Sequence, residues 1–127
     1  MKLLKLDLDG KNSLNIFIDR IWIIKYLGLA VKRVYVHPTV NGFHVRLLCD
    51  NKIDPLEQVL IQSLLGDDFK RALCNFLKLG RGSKTSWNPM FKRKWTLNKL
   101  GQEVEVSRET YDRETSQKIM KLIQLGE

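Results

Sequence analysis

Residues 33–50 constrain the fold more than any other stretch, because they have the pattern of two β-strands joined by a turn. The dipeptide Asn41-Gly42 lies between two apolar runs, and both residues tolerate the positive φ of a type I′ turn. With these two residues as the loop, the pattern predicts that Val36 lies opposite Leu47. One face of the hairpin is apolar. The other face carries Tyr35, His37, Thr39, His44, Arg46 and Leu48.

The order of the predicted elements is typical of an α+β domain. Residues 2–9 alternate between apolar and polar side chains, as a half-buried strand does, so Lys5, Asp7 and Asp9 would join the polar face. Apolar residues recur at helical spacing over 14–29, 55–65, 68–79 and 110–125, with Ser13 as an expected N-cap. A strand is also expected near 102–107. This order favours a ferredoxin/RRM-like antiparallel sheet with helices packed on one face, plus a basic loop and a C-terminal helix.

A chain of 127 residues is suited to a single domain. We divide it into a core of about 1–80, a basic aromatic segment at 81–99 and a C-terminal strand and helix at 102–126. No run approaches 18 apolar residues, so we expect no contact with a membrane and a cytoplasmic protein. Cys49 and Cys74 lie in apolar runs and are expected as buried free thiols. With no P-loop, Rossmann fingerprint or metal-ligand spacing, neither a catalytic residue, a metal nor a cofactor is predicted.

The positive charge is concentrated in one part of the chain. The formal net charge is +8, from 22 basic and 14 acidic residues, and nine basic residues lie between Asp68 and Glu103 with no acidic one among them. Three aromatic residues are interleaved with these cations. Cations follow a phosphate backbone and aromatic rings stack on unpaired bases, so the pattern indicates single-stranded nucleic acid. The predicted contact residues are Tyr35, His44, Arg46, Arg81, Lys84, Trp87, Lys92, Arg93, Lys94 and Trp95.

A second interpretation concerns two short acidic and histidine motifs. Asp7-Leu8-Asp9 on one strand and Gly42-Phe43-His44 on a later one resemble the first two motifs of the archaeo-eukaryotic primase superfamily. The resemblance implies that Asp7 and Asp9 would bind a divalent metal and that His44 would bind a nucleotide phosphate. The third acidic residue of that family has no clear counterpart here beyond Glu103 or Glu105.

A broader resemblance covers roughly residues 33–95. The G-x-H-V-R strand at Gly42–Arg46 is followed by a helix and by an L-G-D-D-x-x-R turn at Leu65–Arg71. This pattern resembles the small single-stranded-DNA-binding proteins of crenarchaeal rod-shaped viruses. The resemblance implies sequence-independent binding in the host cytoplasm, beside viral replication or recombination enzymes.

Taken together, the sequence predicts a non-enzymatic protein that binds single-stranded nucleic acid, DNA before RNA, as a homodimer. The first alternative is a primase-like, metal-dependent nucleotidyl transferase or a degenerate relative that uses Asp7, Asp9 and His44. The second is a structural or interaction protein that does not bind nucleic acid and whose wide first helix forms an oligomer interface.

Overall fold

The computed structural model describes residues 1–82, 88, 100 and 110–125 with their side chains, and the backbone of 93–97 and 103–108. The elements in chain order are β1 (Lys2–Asp9), α1 (Ser13–Asp19), α2 (Ile21–Tyr26), β2 (Val31–Pro38), β3 (Gly42–Cys49), α3 (Pro55–Leu64), α4 (Phe69–Gly80), β4 (Arg93–Leu97), β5 (Glu103–Arg108) and α5 (Arg113–Leu125). The predicted α+β class is confirmed. No helix in these ranges is long and apolar enough to cross a bilayer.

The core lies on one face of a three-stranded antiparallel sheet with the order β1-β3-β2. Side chains alternate between the two faces of a strand, so Leu6, Val45 and Val36 form one apolar row across the sheet. Buried residues of α1, α2 and α5 pack on this face, among them Phe17 and Ile119. The predicted packing of helices on one face is therefore present.

The predicted helix over 14–29 is two short helices that meet at Arg20. Arg20 has φ −99° and ψ 4°, and its backbone N–H bonds to the carbonyls of both Ile16 and Phe17. A bifurcated bond of this kind is common at helix ends, and the buried residues on both sides of it, Phe17, Ile21 and Ile24, belong to the same core. The N-cap prediction was wrong as well, because the Ser13 hydroxyl donates to the Gly10 carbonyl at 2.7 Å instead of accepting from the helix.

The hairpin forms, but with a register two residues away from the predicted one. Val36 lies opposite Val45, and the Thr39 N–H donates to the Gly42 carbonyl at 2.8 Å, so the loop residues are Val40 and Asn41. Gly42 belongs to β3, where a Cβ atom would lie 1.9 Å from the Leu8 carbonyl oxygen. This glycine is therefore required by the close approach of β1. It is not required by a positive φ in the turn. A shift of two residues leaves every side chain on its predicted face.

The strand expected near 102–107 is present as β5, but it pairs with β4 in a separate two-stranded sheet. The outer edge of β1 is covered instead by polar side chains of α3 and α4. Gln58 Nε2 donates to the Leu3 carbonyl, Gln62 Oε1 accepts from the Lys5 N–H, and Arg71 Nη1 donates to the Lys5 carbonyl.

The same edge continues through the turn between α3 and α4. Asp67 Oδ1 accepts from the Asp7 N–H at 2.7 Å, and the backbone N–H of Asp68 donates to the Asp7 carbonyl at 2.8 Å. From the Leu3 carbonyl to the Asp7 carbonyl, the outward backbone groups of β1 therefore have partners without a neighbouring strand.

One residue of the basic aromatic segment is tied into this edge. Asn88 is buried, has a φ of 62°, and its Oδ1 accepts from Gln62 Nε2 at 3.0 Å and from Arg71 Nη2 at 2.6 Å. Its backbone N–H donates to Asn75 Oδ1 at 2.7 Å. Because each of these buried amides has partners, the network is stable and attaches the chain at residue 88 to α3 and α4.

The two cysteines differ from each other. Both thiols are free, as expected; Cys49 is buried in the core, and burial raises its pKa to about 11. Cys74 is exposed, so the prediction that both thiols are buried was wrong for this residue. The reason is the orientation of α4, whose apolar side faces outward.

Candidate nucleic-acid interface

The side of the sheet opposite the core forms what we call the polar sheet face. It is built from two rows across the three strands, and most of its side chains are partly exposed. The rows are Lys5, Arg46 and Tyr35, and Asp7, His44 and His37. The prediction that the polar side chains of β1 lie beside those of the hairpin is confirmed at these positions.

Three aromatic rings lie together at the β2 side of this face. The ring of Tyr111, which precedes α5, lies 5.4 Å from the His37 ring and 6.3 Å from the Tyr35 ring, centroid to centroid. Tyr111 is 53% exposed, so one side of this cluster is open to solvent. Arg46 Nη1 donates to His37 Nδ1 at 3.0 Å and holds the histidine ring in place. A partly exposed aromatic cluster fixed by an arginine can stack on a planar ring.

The position of Tyr111 is set by the chain between β5 and α5. The backbone N–H of Thr110 donates to the Pro38 carbonyl, and the N–H of Asp112 donates to the Val36 carbonyl at 2.8 Å. These bonds run along the outer edge of β2, so the residue between them is placed beside the sheet.

Lys5 and Arg46 give the face its positive charge. They are cross-strand neighbours, and Arg71 approaches from α4 to bond the Lys5 backbone carbonyl. Burial lowers the pKa of the Lys5 ammonium, and the charges of Arg71 and Arg46 lower it further. Arg71 is paired with the Asp67 carboxylate at 3.0 Å, so the positive potential that would attract an anionic group such as a phosphate comes from Lys5 and Arg46.

The acidic and histidine residues of the primase-like interpretation come only partly together. His44 Nε2 lies 3.6 Å from Asp7 Oδ1, and the histidine is buried while the carboxylate is partly exposed. Asp9 is exposed and lies opposite Gly42, one row further along the sheet. Within the described ranges, no group of three or more His, Cys, Asp or Glu side chains has the arrangement of a metal site.

The predicted contact residues fall into three groups. Tyr35, His44 and Arg46 lie together on the polar sheet face, although His44 has little accessible surface. Arg81 is exposed directly after α4. The remaining predicted contacts lie outside the residues whose side chains are described: Lys84, Trp87, Lys92, Arg93, Lys94 and Trp95.

Two residues of this region were not among the predicted contacts. Tyr111 lies in the sequence between a strand and a helix, and no local pattern indicates that it returns to β2. Asn88 precedes a proline, and that dipeptide indicates a turn but not an anchor. Both depend on long-range contacts that sequence periodicity does not report.

Comparisons with known proteins do not identify a family for this chain. No protein-family model, curated protein or solved structure matches the chain. The resemblances described above therefore remain predictions from short motifs.

Proposed function

We propose that this protein binds single-stranded nucleic acid without recognising its base sequence, and that it prefers DNA to RNA. The observation that carries the proposal is the polar sheet face, where the partly exposed rings of Tyr35 and Tyr111 lie beside the cations of Lys5 and Arg46. Phosphates would bind the cations, and unpaired bases would stack on the rings. The viral replication or recombination role rests on the sequence resemblance alone.

The lack of base selectivity follows from the kind of contact. Every base has a π-face that can stack on tyrosine, whereas sequence reading requires hydrogen-bond donors and acceptors directed at base edges. A duplex keeps its base faces covered, so stacking favours single strands. The basic residues from 70 to 99, including exposed Arg81, would extend the electrostatic contact with the backbone.

Replacing Tyr111 by alanine tests the proposal most directly. We expect the affinity for a fluorescent single-stranded oligonucleotide to fall by about 1–3 kcal/mol, the usual contribution of one base-stacking aromatic ring. Tyr26→Ala is the matched control, because Tyr26 is 82% exposed but belongs to α2 on the opposite side of the sheet. Fluorescence anisotropy of both variants, with duplex DNA and single-stranded RNA in parallel, measures the difference.

The same titrations should be repeated at several salt concentrations. Affinity should fall steeply with salt concentration. Arg81→Gln should reduce the slope of log K against the logarithm of salt concentration by about one, because one phosphate contact is lost. Binding that does not change with salt, or a Tyr111→Ala variant that binds as tightly as Tyr26→Ala, would contradict the proposal.

The contact between Asp7 and His44 favours a second candidate, a primase-like nucleotidyl transferase. Its test is incorporation of a labelled nucleotide on a primed template with and without magnesium. A transferase should lose this activity in an Asp7→Asn, Asp9→Asn variant. A protein that only binds should show no incorporation, and its affinity for the strand should be kept or raised as negative charge leaves the face.

A further inference from the structure

Helices α3 and α4 bury a few apolar side chains, among them Val59, Ile61 and Ala72, but each also carries a row of apolar side chains that face away from the rest of the molecule. Their inward sides carry the polar side chains that cover the β1 edge, among them Gln58, Gln62 and Asn75, all of which are buried. Their outward sides form what we call the outer apolar face, whose residues are 43% to 72% exposed. This face consists of Leu56, Leu60, Leu64, Phe69, Leu73, Phe76 and Leu77.

The spacing of these residues makes two continuous stripes. In α3 they recur every four residues, and in α4 they lie at 69, 73, 76 and 77, which is one side of a helix. The two helices pack against each other, so the stripes are neighbours. An amphipathic helix normally turns its apolar side to the core, and here that side of α4 is left in water.

The exposed apolar area of this face is large enough for a protein–protein interface. With about 150–200 Å² for a fully accessible leucine or phenylalanine side chain, the seven side chains expose roughly 600 Å² of apolar surface. Monomeric proteins seldom expose a patch above about 300–600 Å². One side of a standard protein–protein interface buries about 800 Å², so these seven side chains alone would supply most of one partner's share.

The charges on the rim favour a second copy of the same chain as the occupant. Glu57 lies beside the α3 stripe and Lys70 beside the α4 stripe, and both are exposed. In a two-fold interface each surface meets itself, so a rim that carries both signs can pair with its own copy. An anionic membrane surface could pair with Lys70 but not with Glu57, whereas a second copy can pair with both.

We propose that two copies of the chain associate through the outer apolar face, with α3 and α4 of each copy packed as a four-helix interface. The leucine stripes supply ridges spaced four residues apart, which fit into the grooves of a facing helix. This interface lies away from the polar sheet face and does not depend on nucleic-acid binding. It also differs from the interface on the first helix that the sequence indicated.

The test is sedimentation velocity of the full chain, free of nucleic acid, at about 0.5 M salt so that no bound polyanion bridges two copies. The wild type is expected at twice its mass of 14.8 kDa. A Leu60→Gln, Leu73→Gln variant should raise the dimer dissociation constant by about 100-fold or more, as loss of central apolar anchors does. Glutamine is a good helix former, and both positions are exposed, so circular dichroism of the variant monomer should match the wild type.

The matched control is Trp22→Gln, which removes a side chain that is 62% exposed on α2. This variant should remain a dimer. A wild-type chain that sediments as a monomer up to about 100 μM, a concentration far above the dissociation constant of a stable interface, would overturn the proposal. Dissociation of the Trp22→Gln variant with persistence of the Leu60→Gln, Leu73→Gln dimer would also overturn it.

Discussion

Gly42 lies at the point where the hairpin begins its second strand, in close contact with the backbone of β1. Asp9 is its cross-strand neighbour, and the position of a Cβ atom there is already occupied by the Leu8 carbonyl oxygen. Backbone atoms cannot rotate away as a side chain can. Any side chain at this position therefore has to separate β1 from β3.

Gly42→Ala should lower the free energy of unfolding by about 3 kcal/mol, near the upper end of what overpacking costs. Gly80→Ala is the matched control, because Gly80 lies in α4 with open space around it and an ordinary helical backbone. That change should be neutral or stabilising by up to about 1 kcal/mol. Urea unfolding of both variants measures the difference, and equal midpoints would contradict the steric argument.

The sequence identified Gly42 as important but assigned it the wrong role. Asn41-Gly42 is a strong turn signal, yet Asn41 adopts no positive φ and the turn is one residue earlier. Crowding by β1 is a contact between residues 34 positions apart, and local turn chemistry carries no information about it. The predicted faces were correct because successive side chains alternate between faces, and a register shift of an even number of residues keeps each side chain on the same face.

At the scale of elements, α5 illustrates how one residue begins a helix with its side chain and fixes it to the sheet with its backbone. Asp112 Oδ1 accepts from the Thr115 N–H at 3.1 Å, and its Oδ2 accepts from the Thr115 hydroxyl at 2.6 Å. Its own backbone N–H bonds β2 at the Val36 carbonyl. The hydrogen bonds from Thr115 are the main reason that the pKa of the Asp112 carboxyl lies below its ordinary value near 3.8.

Asp112→Ala should lower the stability at pH 7 by about 1 kcal/mol, the usual effect of losing an N-cap. Because the pKa is lower in the folded state, this contribution is complete above the unfolded-state pKa and is lost as pH falls through the folded-state pKa. The difference from the wild type should therefore shrink as the pH falls below about 3.8, the ordinary pKa of the carboxyl. Urea unfolding at several pH values measures this trend.

Asp112→Asn is the control for this trend, because it keeps a side-chain oxygen that can accept the Thr115 N–H but cannot ionise. It should lose less stability than alanine at pH 7. A stability difference between Asp112→Ala and the wild type that stays constant down to pH 2 would show that the carboxylate charge contributes nothing.

Helices α3 and α4 also show what the spacing of apolar residues in the sequence does not predict. The leucine and phenylalanine spacing of α3 and α4 correctly predicted helices, but it indicates only which side is apolar, and not whether that side faces inward. The inward side is chosen by the unpaired edge of β1, which requires amide and guanidinium groups. In the structure β5 pairs with β4 in a separate sheet, so β1 is an edge strand of the three-stranded sheet.

At the scale of the whole molecule, the two outer strands of the three-stranded sheet, β1 and β2, form hydrogen bonds with groups outside the sheet. Side chains of α3 and α4 cover β1, and the approach to α5 covers β2, where Ser116 Oγ accepts from the Val36 N–H at 2.8 Å. Part of each outer edge is therefore closed without a neighbouring strand.

Native-state hydrogen exchange should reflect this closure. The outward amides of Lys5, Asp7 and Val36 should exchange nearly as slowly as those of central β3, because all have buried or partly buried acceptors. In a Gln62→Leu variant, the Lys5 amide should exchange at least tenfold faster while Val36 stays protected. Fast exchange of Lys5 in the wild type would show that the side-chain bonds open readily.

A strand edge closed by side chains has one further consequence. Residues 4–8 alternate leucine with polar residues, and such a segment with free backbone groups is a template for adding strands from other molecules. Substitutions at Gln58, Gln62 or Arg71 would uncover that template while leaving the hydrophobic core intact. Their main effect would then be amyloid-like aggregation of a protein that is otherwise folded.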